Sequence, residues 1–295
     1  MTGGWTNGSL VRIPANVYKT RVVLVSPPRT GSTAVARLLW QHSMITHHCH
    51  EPFEACYWGN QGADSVKNCL LNPMEIDTGN RVSLADVPQG SGLLVKEMSF
   101  QLGTTQFDLL TRLATAPLIF VMCDPRLSTA SRLRIVRELS GTGTFPPFEG
   151  GWQSLHEQLE LCRQRDISYV LVDSDDLRVD PTGVTAALMA AIGLPSLAGL
   201  EAWLPRPGLQ LCSPEVGALM SEARRTDDPF YRKVLGSTGI QPRGYVDWER
   251  ESALISAAGL SDEVEKWLHR YEEMRADPAL IAVPRGKREN NAHAE

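Results

Sequence analysis

No apolar run in this 295-residue chain approaches the roughly 20 residues that a membrane-spanning helix requires. There is no CxxC pair either. The six cysteines, Cys49, Cys56, Cys69, Cys123, Cys162 and Cys212, are scattered, and a chain this rich in core-forming residues does not need disulfide staples, so they read as reduced thiols. Basic charge is not in excess. Twenty-nine Lys and Arg against 34 Asp and Glu leave a net charge of −5, which gives no electrostatic reason to expect nucleic acid or an anionic membrane as partner. The opening "MTGGWTNGSLVRIPANVY" lacks the basic segment followed by an apolar run that marks a secretion signal. These absences lead to the expectation of a soluble, cytoplasmic protein. A local basic pocket stays compatible with the acidic average, because a small anion needs only a few charges.

What is present is ordinary globular material, 42% hydrophobic and 21% charged, enough for a sizeable core. Five short β-rich runs stand at residues 21–26, 45–49, 92–96, 117–123 and 168–173. Helix-like segments separate or follow them near 32–43, 105–115, 127–139, 152–165 and 181–192, with a later one at 261–275. This alternation predicts an α/β fold, an open, mostly parallel sheet flanked by helices. Ligands in such sheets bind beyond the carboxyl ends of the strands, near the switch in strand order. Residues 1–19 read as a flexible N-terminal arm, 20–283 as a single domain and 284–295 as a disordered tail. The Gly- and Pro-rich "SGTGTFPPFEGGW" at 140–152 reads either as a connection or as a substrate lid.

The chemistry starts at "SPPRTGST", Ser26 to Thr33, between the apolar "RVVLV" and "AVARLLW". A Walker A loop reads GxxxxGK[ST]. With its second glycine set on Gly31, Ser26 takes the place of the first glycine and Ser32 that of the lysine, and only Thr33 fits. Without that lysine, kinase or ATPase chemistry is a distant reading. The loop can still aim its amides, and the start of the next helix, at an anion. Ser32 and Thr33 add hydroxyls, and Arg29 adds a fork-shaped cation.

"PPRTGST" after a strand resembles the 5′-phosphosulfate loop of the sulfotransferase family, whose donor is 3′-phosphoadenosine 5′-phosphosulfate (PAPS). "HEPFE" (50–54), "LLVKEM" (93–98), "VMCDPRLSTASRLR" (121–134), "YVLVDSDDLRVDP" (169–181) and "PFYRKVLGSTG" (229–239) resemble further blocks of that family, bacterial small-molecule members included, in the expected order over roughly 20–240. The resemblance implies a P-loop NTPase-like sulfotransferase fold with PAPS as donor, PAP as product and no metal. It implies that Arg29, Thr30, Gly31, Ser32 and Thr33 hold the donor, with Arg29 acting on the leaving group and Lys96 on the transferred sulfonate. Arg126, Ser131 and Arg243 are the residues that it assigns to the 3′-phosphate. One departure stands out there. The arginine that the family carries at the end of the fourth strand is Cys123 in this chain, with Arg132 and Arg134 as substitutes to consider.

The general base must also differ from the family's common histidine, because Met98 stands two residues beyond Lys96. "EPFE" resembles the Glu-Pro-x-Glu of a trehalose-type bacterial sulfotransferase, whose second glutamate is the base. The candidates rank Glu54, then Glu51, then His50. His47, His48 and His50 mimic a metal cluster, but alternate strand residues face opposite ways, so His47 could not join the other two. Tyr57, Trp58, Phe148 and Trp152 are the expected acceptor contacts, with Trp203 and Tyr231 as further candidates. They suggest a hydroxylated, fairly apolar small molecule in a biosynthetic tailoring pathway. The alternatives are a non-catalytic nucleotide- or partner-binding protein, an enzyme with another sulfate donor, and sulfonation coupled to elimination. Oligomeric state stays open, a homodimer included.

Overall fold

The computed structural model describes residues 17–59 and 62–281. Among the described residues seven strands make one sheet: β1 (Tyr18–Ser26), β2 (His47–His50), β3 (Met74–Glu75), β4 (Ser91–Met98), β5 (Leu118–Met122), β6 (Tyr169–Asp173) and β7 (Leu280–Ile281). Their order is β3-β2-β4-β1-β5-β6-β7, parallel throughout except for the antiparallel β2–β3 pair. Runs such as Leu118–Met122 are buried on both faces, which is why they read as unbroken apolar segments and not as an alternation. The two added strands, β3 and β7, have two residues each and carry no legible pattern.

Helices cover both faces. Helix α1 (Ser32–Trp40) follows β1, and α2 (Glu54–Trp58) and α3 (Ala63–Leu71) follow β2. Next come α4 (Thr104–Leu113), α5 (Pro125–Ser140), α6 (Trp152–Gln164), α7 (Ser174–Val179) and α8 (Pro181–Ala191). The C-terminal third holds α9 (Pro214–Leu219), α10 (Glu222–Thr226), α11 (Arg232–Leu235), α12 (Trp248–Ala257) and α13 (Ser261–Arg275). Val23, Val25, Leu93 and Val95 pack with residues of α3 to α6, α12 and α13. On the opposite face, Val22, Leu24, Leu94 and Val172 pack with α1, α7, α8 and α11. Among the described residues no helix is long and apolar enough to cross a membrane, and all six cysteines are free thiols.

Two expectations shift. Residues 1–16 and the tail at 284–295 lie outside the described residues. Tyr18 and Lys19, assigned to the arm, belong to β1, where Tyr18 is fully buried and pairs with Ser91 of β4. The segment at 140–152 is more ordered than a plain connection: residues 147–150 form a 3-10 turn, and Arg132 of α5 holds it through the carbonyl and the carboxylate of Glu149. Ser99 Oγ donates to the Gly151 carbonyl at 2.7 Å.

Strand β1 lies between β4 and β5. The chain runs from β1 outward to β2, returns to β4, and then crosses to β5 on the other side. The end of β1 is therefore the topological switch point, the place where open α/β sheets hold ligands.

One close approach fixes the start of β4. A Cβ on Gly92 would lie 1.8 Å from the Met44 carbonyl oxygen, in backbone leading to β2. Gly92→Ala is expected to lower the unfolding free energy by about 1–3 kcal/mol or more, read by urea denaturation. Gly62→Ala, whose Cβ would meet nothing within 4 Å, is the control and shifts it by less than about 0.5 kcal/mol.

Candidate active site

The turn after β1 is built to leave donors free. Arg29 (φ 64°) and Gly31 (φ 87°) both adopt the left-handed conformation, and Thr30 Oγ1 ties the turn by donating to the Pro27 carbonyl at 2.9 Å. A Cβ on Gly31 would also stand 3.1 Å from that of Ser174, so glycine is required on two counts. Gly31 begins α1 with no side-chain cap. The backbone amides of residues 29–33 find no acceptor among the described residues, and residues 28–34 line a cavity of about 1010 Å³. Free amides, a helix N-terminus and a nearby guanidinium make an anion site. Arg29 supplies that guanidinium. Its Nε donates to Ser131 Oγ at 3.2 Å and its Nη1 to the Phe230 carbonyl at 2.5 Å, while among the described residues no carboxylate lies within ion-pair distance of it.

The three base candidates separate. His50 is buried and does not line the cavity. Its Nδ1 lies 3.1 Å from His48 Nε2, and its ring stands edge-on to Tyr231 at 4.9 Å. Burial lowers the pKa of both histidines, so both are neutral. His47 faces away, bonded to Thr46 Oγ1 at 2.8 Å. No group of three or more His, Cys, Asp or Glu stands in a metal-ligand arrangement among the described residues.

Glu51 sits at φ 46°, a strained conformation for a side-chain-bearing residue. Its Oε1 accepts from Lys96 Nζ and, at 3.0 Å, from Tyr231 Oη. His50 Nε2 is 3.2 Å from the same oxygen but off-line for a hydrogen bond. Burial alone would raise the Glu51 pKa, yet the charge of Lys96 holds it well below the usual carboxylate range. Glu54 is the opposite case. It is buried, lines the cavity, and has no hydrogen-bond partner for its carboxylate among the described residues. Burial, then the negative charge of Glu51, push its pKa up to about 8, against the opposing charges of Arg224 and Lys96. Two carboxylates three residues apart thus titrate in opposite directions, the pattern of an assigned base beside a structural anion.

Lys96 differs from its expected place. It is fully buried on β4, does not line the cavity, and pairs with Glu51 and not with Glu97. Strand periodicity puts Lys96 and Glu97 on opposite faces. Glu97 instead accepts from the amides of Phe53 (2.8 Å) and Met98 (2.7 Å), pinning the turn that presents Glu54.

Arg126 also departs from expectation. Pro125 begins α5, so Arg126 is already helical; it bonds its own N-cap, Asp124, and stacks over Trp248 at 4.2 Å, outside the cavity. Ser131 and Arg243 do line the cavity, Arg243 as the ion-pair partner of Asp175. Of the substitutes, Arg132 is tied to Glu149 and Arg134 to Glu251. The residue that sequence reasoning missed is Arg178, four positions after Ser174 on α7. That spacing puts both on one helix face, and both line the cavity.

Among the expected acceptor contacts, Trp58 lines the cavity and is 53% exposed. Tyr57 stands behind it, edge-on to Trp58 at 4.8 Å and to Phe100 at 5.0 Å, with its hydroxyl donating to Glu149 Oε1 at 3.2 Å. Phe148 is exposed and outside the lining, and Trp152 is a core residue whose ring stands edge-on to Tyr271 of α13. Trp203 packs in the core under Arg37. Tyr231, the other further candidate, does line the cavity, and the aromatic lining beyond it and Trp58 comes from Phe100, Phe145, Phe230 and Tyr245.

The buried pair yields a stability prediction. Lys96→Met leaves Glu51 buried without its cation and is expected to cost about 3–5 kcal/mol, measured by denaturant unfolding. Adding Glu51→Gln removes the orphaned charge, so the double variant is expected to be more stable than Lys96→Met alone.

No family model matches the chain, and no curated protein matches it. Solved structures do. The chain is similar to the sulfotransferase domain from the curacin biosynthetic pathway, at 15% identity over 81% of this chain and 98% of that one, with a TM-score of 0.42. It is similar to the sulfotransferase domain from the Synechococcus PCC 7002 olefin synthase, at 14% identity over 86% and 94%, with a TM-score of 0.47. It is also similar to mouse sulfotransferase SULT7A1 complexed with PAP, at 12% identity over 90% and 94%, with a TM-score of 0.44.

Proposed function

We propose that this chain is a sulfotransferase that moves a sulfuryl group from PAPS to a hydroxyl of a small, fairly apolar acceptor, as a soluble cytoplasmic tailoring enzyme. One observation carries the reading. The unpaired amides of residues 29–33 and the proton-accepting carboxylate of Glu54 open on the same cavity. At about 1010 Å³, that cavity is at the upper end of small-molecule sites, with room for a nucleotide and an acceptor together. The ordered sequence blocks that resemble the sulfotransferase family support the same reading.

The residues present fit such a donor. When bound, it supplies the sulfuryl group and a phosphate as leaving group. The amides of residues 29–33 and the hydroxyls of Ser32 and Thr33 bind and orient the phosphate end. Arg29, whose charge has no carboxylate partner, faces the negative charge that grows on the bridging oxygen. Ser32, where a Walker lysine would stand, leaves the turn without the cation that phosphoryl transfer uses. Glu54 takes the acceptor's hydroxyl proton on its carboxylate while the acceptor oxygen bonds to sulfur. Glu51 keeps its own proton off, because Lys96 and Tyr231 already hold its oxygen. Trp58, Phe100, Phe145 and Phe230 give the acceptor a largely apolar wall that excludes water.

The test is release of adenosine 3′,5′-bisphosphate from PAPS in the presence of apolar alcohols and phenols. Turnover above the uncatalysed rate is expected. Binding of the bisphosphate without turnover for any acceptor would favour the non-catalytic alternative instead. Arg29→Ala is expected to lower kcat by about 10²–10³, with the fold intact by circular dichroism.

Glu54 sets the pH dependence. The ionised form is the base, so kcat/KM rises with pH and levels off above about 8. Glu54→Gln is expected to lose that limb and about 10²–10⁴ in rate. The same pKa has a stability consequence. A group raised on folding from the ordinary 4.5 to about 8 contributes stability that is present below pH 4.5 and lost as pH rises through 8. Wild-type melting temperature therefore falls between those limits by this contribution. Glu54→Gln lacks it and is expected to melt at or above wild type at pH 8, so the variant loses rate without losing fold.

A further inference from the structure

The cavity holds more positive charge than one phosphate needs. Six arginines line it among the described residues, Arg29, Arg132, Arg134, Arg178, Arg224 and Arg243, of which Arg132 is paired with Glu149 and Arg224 with Asp228. Arg134 is paired with Glu251 and Arg243 with Asp175. Arg178 has no carboxylate partner among the described residues. Its Nη1 donates to the Gln241 carbonyl at 2.7 Å, and its Nε is buried with no partner. Its Nη2 would lie 3.8 Å from a Cβ on Gly31, so the guanidinium borders the nest without being part of it. Burial lowers its pKa, the mark of a cation that gives up water without gaining a counter-ion. Such a group is costly to hold inside a protein, and a bound anion relieves that cost.

The position of Arg178 says which anion. The Cys123 thiol after β5 is buried and lines the same cavity as Arg178 and Arg243; burial, with Asp173 and Asp124, raises its pKa against the charges of those two arginines. An uncharged cysteine thus stands where the resembled family carries an arginine, and two guanidiniums share its cavity. Ser131 of α5 lines the same cavity. The nest and Arg29 account for one anionic group. Arg178, supported by Arg243, is placed for a second one on the same ligand.

We propose that Arg178 determines the donor specificity of this site: it contacts a second phosphate, on the ribose of the nucleotide, and replaces the side chain that Cys123 cannot provide. This rests on the sulfotransferase reading and deepens it, since it assigns the second phosphate to α7 and not to the end of β5. Arg178→Met keeps the aliphatic stem and removes the charge.

The experiment is calorimetric titration of wild type, Arg178→Met and the double variant Arg178→Met/Cys123→Arg with adenosine 3′,5′-bisphosphate and with AMP. Wild type is expected to prefer the bisphosphate. Arg178→Met is expected to weaken the bisphosphate by on the order of ten- to a hundredfold, the loss of a charge-assisted contact, while AMP changes by less than about threefold. The double variant, with a guanidinium restored from β5, is expected to recover part of the preference. If Arg178→Met keeps the wild-type preference, or weakens both ligands equally, the assignment of Arg178 is wrong and the sulfotransferase reading stands. If wild type shows no preference or binds neither nucleotide, both fall. Melting curves of each variant, with and without ligand, separate a lost contact from a lost fold.

Discussion

The chain leaves its central strand at Ser26 and enters α1 at Ser32 through a turn that spends two left-handed residues, Arg29 and Gly31, on one purpose. That conformation turns consecutive amides the same way and denies them protein acceptors. Backbone donors of a folded protein almost always find a partner, so a run of unpaired ones at the switch point of the sheet marks the position of a ligand. The rest of the site is arranged around this turn. Ser174 and Arg178 of α7 crowd its Gly31 side, Ser131 of α5 takes the Arg29 guanidinium, and the segment around Phe230 supplies a carbonyl to it.

A second constraint sets the chemistry. Lys96 and Glu51 form a buried ion pair, reinforced by Tyr231 and backed by neutral His48 and His50. The pair holds one negative charge in place near Glu54, and that charge adds to burial in raising the Glu54 pKa. The lysine that resemblance assigns to the sulfonate works here at one remove, keeping Glu51 ionised. Glu97 then fixes the backbone: its carboxyl bridges the amides of Phe53 and Met98 and so ties the turn bearing Glu54 to the end of β4. The ionisation and backbone of Glu54 thus depend on Lys96 and Glu97, which do not line the cavity, and on Glu51, which does.

The fold was largely legible. Strands buried on both faces write themselves as short apolar runs, so the five longer strands were readable, whereas β3 and β7 are too short to leave a pattern. The turn after β1 was readable because its residues are contiguous. Glu54 was singled out for the same reason, as part of the contiguous "EPFE". What sequence could not give is the pairing of charges across the fold. Glu51 and Lys96 are 45 positions apart, and nothing local says that Lys96 turns to Glu51 and away from the cavity. Arg126 was read as standing before a helix that starts near 127; with Pro125 at the first position of α5, its side chain falls back on Asp124. Trp152 was misread because an aromatic beside a glycine-rich loop looks like a ligand contact until its burial is known. Arg178 left a signal, its spacing from Ser174, that the acidic "DSDD" around it obscured.

The central claim is that the free amides of residues 29–33 hold the phosphate end of the donor, with Glu54 facing the acceptor across the same cavity. The most direct measurement is a crystal structure of the protein with adenosine 3′,5′-bisphosphate. The account predicts 5′-phosphate density on those amides, close to Arg29, with open space left toward Glu54 and Trp58. A nucleotide bound elsewhere, or one whose base or ribose fills the nest while its phosphates point to solvent, would contradict it.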